Sequence, residues 1–234
     1  AGQQGGRRPP SPGPRAASPL RHAGARRGGA RAPLARRAPR APRLGGDGGS
    51  DADTVAHVLA GGSQLLIGEQ GRARPMNLGG RAATGRYLFF LHADNQPPEQ
   101  LQEIETVLAA DPEWGFAPVR LSGTGRLLRW VEWSMNLRSR MTRVATGDQM
   151  LFVRADVFES LSGYADIPLM EDVEICKRLR RRSPPAILPS AVVTSSRRWE
   201  SHGVIATVLQ MWTLRLAYVC GVSPQALWRF YYGD

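Results

Sequence analysis

The chain has 234 residues, two cysteines and a formal charge of +11. Such a charge suggests nucleic acid or an anionic surface as partner, but residues 1–46 carry eleven Arg and no acid, while residues 47–234 are neutral. This excludes a uniformly basic domain and argues against nucleic acid. Arg, Ala, Gly and Pro make up 38 of the first 46 residues. That composition cannot bury enough apolar surface to offset the entropy of ordering it, so residues 1–46 are expected to be disordered. It has no aromatic residue for base stacking. Residues 47–234 suffice for one domain. Cys176 and Cys220 lack metal or redox spacing, which predicts free thiols and a cytoplasmic setting. The basic N-terminus lacks the apolar stretch of a secretory signal.

In chain order, Val55–Leu59 reads as a short helix and Leu65–Ile67 as a strand. Residues 74–83 read as a helix with Pro75 in its first turn, stopped by Gly85. Residues 87–91 form an apolar run without alternation. That predicts a strand buried on both faces of a parallel sheet. Leu101, Ile104 and Leu108 recur at helical spacing after Pro97-Pro98. Residues 114–121 predict a strand and 127–141 a helix. Gln149–Val153 predicts a strand, and Asp156–Leu161 a short helix ended at Gly163. Residues 169–182 predict a helix with Glu171, Asp172 and Glu174 at the front and basic residues at the back, as the helix dipole favours. Residues 186–194 predict a strand, and a long apolar helix follows from about Ser201. Strands alternating with helices imply an α/β domain.

Ligands of open α/β sheets bind at the carboxyl ends of strands. Four polar clusters fall where such ends are expected. Asp47-Gly48-Gly49-Ser50 allows close backbone approach to a ligand; an ordinary turn explains it as well. His92 and Asp94 offer an imidazole and a carboxylate to Mg²⁺ or Mn²⁺; capping and burial are the alternative. Glu171 and Asp172, at a helix start, can supply a general base or only complement the dipole. Arg197, Arg198 and Trp199 suit a phosphate and a sugar ring; a solvated basic turn with Trp199 packed inside also fits. Arg72 and Arg74, ahead of a helix, are a further phosphate contact.

Taken in order, DGGS at 47–50, GRARPMN at 71–77, FFLHAD at 89–94, NLRSR at 136–140, ATGDQ at 145–149, IPLMEDVE at 167–174 and TSSRRWESHG at 194–203 resemble inverting glycosyltransferases of family 2. The match is closest to the subgroup described as transferase 2, radical-SAM/selenodomain-associated. The resemblance implies a GT-A-like, Rossmann-like, mostly parallel sheet flanked by helices, with incomplete N-terminal strands and a helical C-terminus. It implies a nucleotide-sugar donor and an acceptor hydroxyl. Asp47, Arg72, Arg74, Asp94, Arg197 and Arg198 would bind the donor. Asp94 with His92 would hold Mg²⁺ or Mn²⁺, Asp172 would be the base, and Glu171 would orient the acceptor or the base. Gly147, Asp148, Gln149 and Trp199 would face the acceptor.

His92 replaces the first Asp of the family's DxD motif, and Ala52 stands where the family has a second Asp. The family's first strand, its Pro-x-x-Asn-Glu and its second strand are not found upstream. A reading frame shifted upstream of about Gly45 would give this composition, because all four abundant residues have GC-rich codons. An inactive homologue and a nucleic-acid binder acting through the basic segment are the rival expectations.

Residues 203–222 approach the length of a bilayer span, but Arg215 sits within them. They predict a helix packed on the domain or lying at a membrane interface, with Trp212, Tyr218 and Trp228 as anchors. Peripheral contact with the inner membrane face would suit a lipid-linked acceptor.

Overall fold

The computed structural model describes residues 44–47, 64–67, 71–92, 95–98 and 100–233. The helix at 55–59, most of the DGGS turn and Asp94 lie outside the described residues, as do residues 1–43 of the segment 1–46 expected to be disordered; its last three residues, 44–46, lie in a strand instead.

The chain is a mixed α/β protein. Strands β1 (Leu44–Asp47) and β2 (Gln64–Ile67) pair in parallel. Helix α1 (Ala73–Ala82) leads to β3 (Tyr87–Phe90) and β4 (Asn95–Gln96). Helix α2 (Leu101–Leu108), β5 (Trp114–Phe116), β6 (Val119–Leu121) and α3 (Arg126–Thr142) follow. A 3-10 turn at Gly147–Gln149 precedes β7 (Leu151–Arg154), α4 (Ala155–Ser160) and α5 (Glu171–Leu179). Then come β8 (Ala186–Ile187), β9 (Val192–Thr194), α6 (Arg197–His202), α7 (Val204–Val219) and α8 (Pro224–Tyr232).

One sheet has the order β3-β7-β5-β8 and another β4-β9-β6. The expectation of a mostly parallel arrangement is corrected here. β7 runs antiparallel to both β3 and β5, and β4 runs antiparallel to β9, while β5–β8 and β6–β9 are parallel. The apolar run at 87–91 has a different cause from a parallel sheet. Leu88 and Phe90 face one cluster, where Phe90 stacks near Phe158 and Tyr164. Tyr87 and Phe89 lie on the Phe152 ring of a second cluster. Aromatic packing on both faces removes the alternation, although Phe89 stays exposed.

Two expected strands are each divided. Residues 114–121 break at Ala117-Pro118, so β5 joins one sheet and β6 the other. Residues 186–194 break at Leu188-Pro189 in the same way. Proline has no N–H for a ladder, so each break falls where the chain changes sheets. The apolar C-terminal helix is likewise divided: Gly203, at φ +81°, separates α6 from α7. α8 starts cleanly, with Ser223 Oγ accepting the N–H of Ala226 and Pro224 at its first position.

Helix α3 covers the free edge of β6 with polar side chains. Asn136 takes the Val119 N–H at 2.8 Å and donates to the Val119 carbonyl at 2.9 Å. Glu132 accepts the Leu121 N–H at 3.1 Å, and Arg129 donates to the carbonyls of Leu121 and Gly123. Spacings of three and four place these residues on one helical face, and they satisfy an edge that a neighbouring strand would otherwise pair. A similar clamp fixes α1: Asn77 donates to the Tyr164 carbonyl and accepts the Tyr164 N–H, both at 2.8 Å.

Cys176 is buried, Cys220 is exposed, and both are free. Among the described residues no helix is long and apolar enough to cross a membrane.

Candidate functional site

The antiparallel pairing of β3 with β7 builds the site. Phe90 sits opposite Leu151, so the residues after β3 meet the residues before β7. His92 therefore lies against Gly147. A Cβ at Gly147 would collide with the imidazole ring, so this contact needs glycine. Asn95, buried nearby, donates to the Gly147 carbonyl at 3.4 Å and its N–H donates to the His92 carbonyl at 3.0 Å.

The turn carrying Gly147, Asp148 and Gln149 is held by a capping box. Gln149 Oε1 accepts the Thr146 N–H at 3.2 Å and the Thr146 side chain accepts the Gln149 N–H in return; the same N–H also reaches the Thr146 carbonyl at 2.8 Å. Ser139 donates to the same Gln149 oxygen at 2.6 Å, and Arg138 approaches it at 3.4 Å. Gln149 is wholly buried. It holds the turn from inside rather than facing an acceptor, which corrects the role expected for it. It also precedes the strand in which it was expected.

Helix α5 brings the paired carboxylates to this turn. Met170, at φ +69°, enters the helix from the left-handed region, and no side chain caps it. Acids in the first turn take that electrostatic role. Asp172 Oδ2 accepts the Gly147 N–H at 3.1 Å, while its Oδ1 takes the Val173 N–H at 2.7 Å. Glu171 is buried. Its oxygens lack aligned hydrogen bonds among the described residues, though Arg72 Nε is 2.6 Å from Oε1. Burial and the neighbouring Asp172 push the Glu171 carboxyl up to about 7, against the pull of Arg72. At the rear of the helix, Arg178 pairs with Glu174 and donates to the carbonyls of Leu161 and Gly163, pinning the preceding loop.

Phe90, His92, Thr146, Gly147, Glu171 and Asp172 line one small pocket with Tyr164 behind them. Its volume is about 10 Å³, room for one water molecule. A larger ligand would lie across its mouth. Burial raises the Tyr164 hydroxyl well above its ordinary range, so it stays neutral.

Of the expected site residues, His92, Gly147, Asp148, Gln149, Glu171, Asp172 and Arg72 come together here. Arg74 is turned to an exposed fork with Asp166, Nε and Nη2 each 2.9 Å from a carboxylate oxygen. Arg197 is exposed at the start of α6, and Trp199 packs against the cluster of Leu121, Leu128 and Val131. Asp47 lies in β1 and Arg198 in α6. Asp94 is outside the described residues. Arg138, Asn95 and Asn77 were not expected to matter. Only the Thr146-x-x-Gln149 capping box had a readable signal.

His92 lines the same pocket as Glu171 and Asp172, and imidazole and carboxylate are donors that Mn²⁺ accepts. Among the described residues no three His, Cys, Asp or Glu side chains form a metal cluster.

No family model matches the chain, and no curated protein matches it.

Proposed function

We propose that the chain is an inverting glycosyltransferase with a GT-A-like core, moving a sugar from a nucleotide-sugar donor to an acceptor hydroxyl. One observation carries this reading: the Asp172 carboxylate, fixed by the Gly147 N–H, sits beside buried Glu171 in the pocket that His92 closes. Asp172 is the base that takes the acceptor proton as its oxygen attacks the anomeric carbon. Its two N–H contacts hold the carboxylate in one orientation. Glu171, held by Arg72, orients the acceptor or the base. His92 and Asp94 would hold Mg²⁺ or Mn²⁺, which would supply charge neutralisation to the leaving diphosphate. Arg197 and Arg198 add to that neutralisation from α6, and Asp47 contacts the nucleoside.

A thermal-shift series of nucleotide sugars with Mn²⁺ tests this. A donor at about a hundred times its Kd adds about 2.7 kcal/mol of stability, a rise of several degrees in a domain of this size. If no nucleotide sugar raises the melting temperature, the reading fails.

A further inference from the structure

Two helices carry apolar stripes on their outer faces. On α3, Leu127, Trp130, Trp133, Leu137 and Met141 are 39–76% exposed. On α7, Ile205, Leu209, Trp212, Leu216 and Val219 are 62–70% exposed. Intervals of three and four residues place each set on one helical face. The helices are neighbours, because Val204 and Val208 of α7 pack on the cluster of Leu128 and Val131 of α3. Ten such side chains expose on the order of 1,000 Å², against the few hundred of an ordinary monomer's largest patch.

Basic residues predominate on the helices that carry these stripes. Residues 126–143 hold five Arg and one acid. That acid, Glu132, is turned to the β6 edge and to Arg129, 2.6 Å away. Residues 203–233 hold two Arg and no acid. Arg126, Arg140, Arg143 and Arg229 are exposed. A second copy seated on this face would set Arg against Arg. An anionic surface would complement it. Between α7 and α8 there is also an apolar cleft of about 240 Å³, lined by Leu214, Ala217, Val222, Leu227 and Phe230. Its lining suits a hydrocarbon chain. Three exposed Trp on the stripes fit the boundary between headgroups and acyl chains.

From these observations we propose that α3 and α7 form a docking face for a bilayer rich in anionic lipid. The apolar stripes enter the acyl boundary, and the exposed Arg meet lipid phosphates. The α3 stripe ends at Met141, and the turn with Gly147 follows closely, so docking would present the pocket to an acceptor carried in the membrane. That last consequence rests on the sugar-transfer reading; the docking does not.

The test uses the full chain and vesicles of phosphatidylcholine with and without phosphatidylglycerol. Two variants, Trp130→Ser/Trp133→Ser and Leu209→Gln/Trp212→Gln, keep every Arg. Because the altered positions are exposed, both should melt as the wild type does. The wild type should co-sediment with the anionic vesicles, and each variant should partition about tenfold or more weakly. Donor-dependent nucleotide release with a soluble acceptor should be unchanged, so failure of docking and failure of catalysis are read separately. Equal binding by variants and wild type would overturn the proposal, because the basic residues alone would then account for it. So would a lack of vesicle binding. A lipid-free dimer that Leu209→Gln/Trp212→Gln dissociates would assign the face to a second copy instead.

Discussion

The Arg72 guanidinium lies 2.6 Å from the buried Glu171 carboxylate and joins the start of α1 to the start of α5. Removing one partner of a buried pair leaves the other charge without compensation. Arg72→Ala should cost about 1–3 kcal/mol at neutral pH, toward the low end because the guanidinium is one-third exposed and partly screened. Urea unfolding measures this. The double variant Arg72→Ala/Glu171→Gln should recover part of the loss. No recovery would show that the two residues act independently.

Glu171 also sets a pH dependence. Its folded pKa of about 7 lies above the ordinary 4.5, so the folded state holds the proton more tightly than the unfolded state. The resulting stability is complete below about pH 4.5 and is lost as the pH rises through about 7. The contribution should be about 1–3 kcal/mol. Glu171→Gln should flatten the stability profile across this window. Parallel profiles for variant and wild type would place the titration elsewhere.

Gly147 is a steric test of the site. Gly147→Ala drives a methyl group into the His92 ring. Overpacking of this kind costs about 1–3 kcal/mol, and displacement of the site turn should lower turnover about a hundredfold. Calorimetry and a donor-turnover assay read the two effects separately. Unchanged turnover would remove the His92–Gly147 contact from the mechanism.

Asn136 tests the covering of β6. Asn136→Ala leaves the N–H and carbonyl of buried Val119 without their side-chain partner, at about 1–3 kcal/mol for each group. Trp130→Ala, one to two turns away on the exposed face, should change stability by no more than about 0.5 kcal/mol. Chemical denaturation of both variants makes the comparison, and equal losses would contradict it.

Much of the local structure was legible in the sequence. α3 and α5 fall close to their periodic patterns, and Gly163, at φ +70°, ends the segment after α4 as expected. Sheet membership was harder to read. A hydrophobic run does not state that Pro118 or Pro189 passes the chain to another sheet, nor that apolar packing on two faces of β3 belongs to an antiparallel pair. The site was legible where local chemistry defines it, as in the Glu171–Asp172 pair at a helix start. Long-range pairing fixed the rest. Arg74 faces Asp166, 92 residues away, and Gln149 faces inward because Ser139 and Thr146 both need its side-chain oxygen. Neither partner can be inferred from spacing within one segment.

The most direct test of the sugar-transfer reading is donor-dependent release of nucleoside diphosphate with Mn²⁺, compared between the wild type and Asp172→Asn. The substitution keeps the size of the side chain and removes its basicity. The wild type should release nucleoside diphosphate from one nucleotide sugar, and Asp172→Asn should be slower by about 10²–10⁴-fold, with a fall of only a few degrees in melting temperature because the amide keeps one of the two N–H contacts. Equal rates in the two proteins, or no release from any nucleotide sugar, would contradict it.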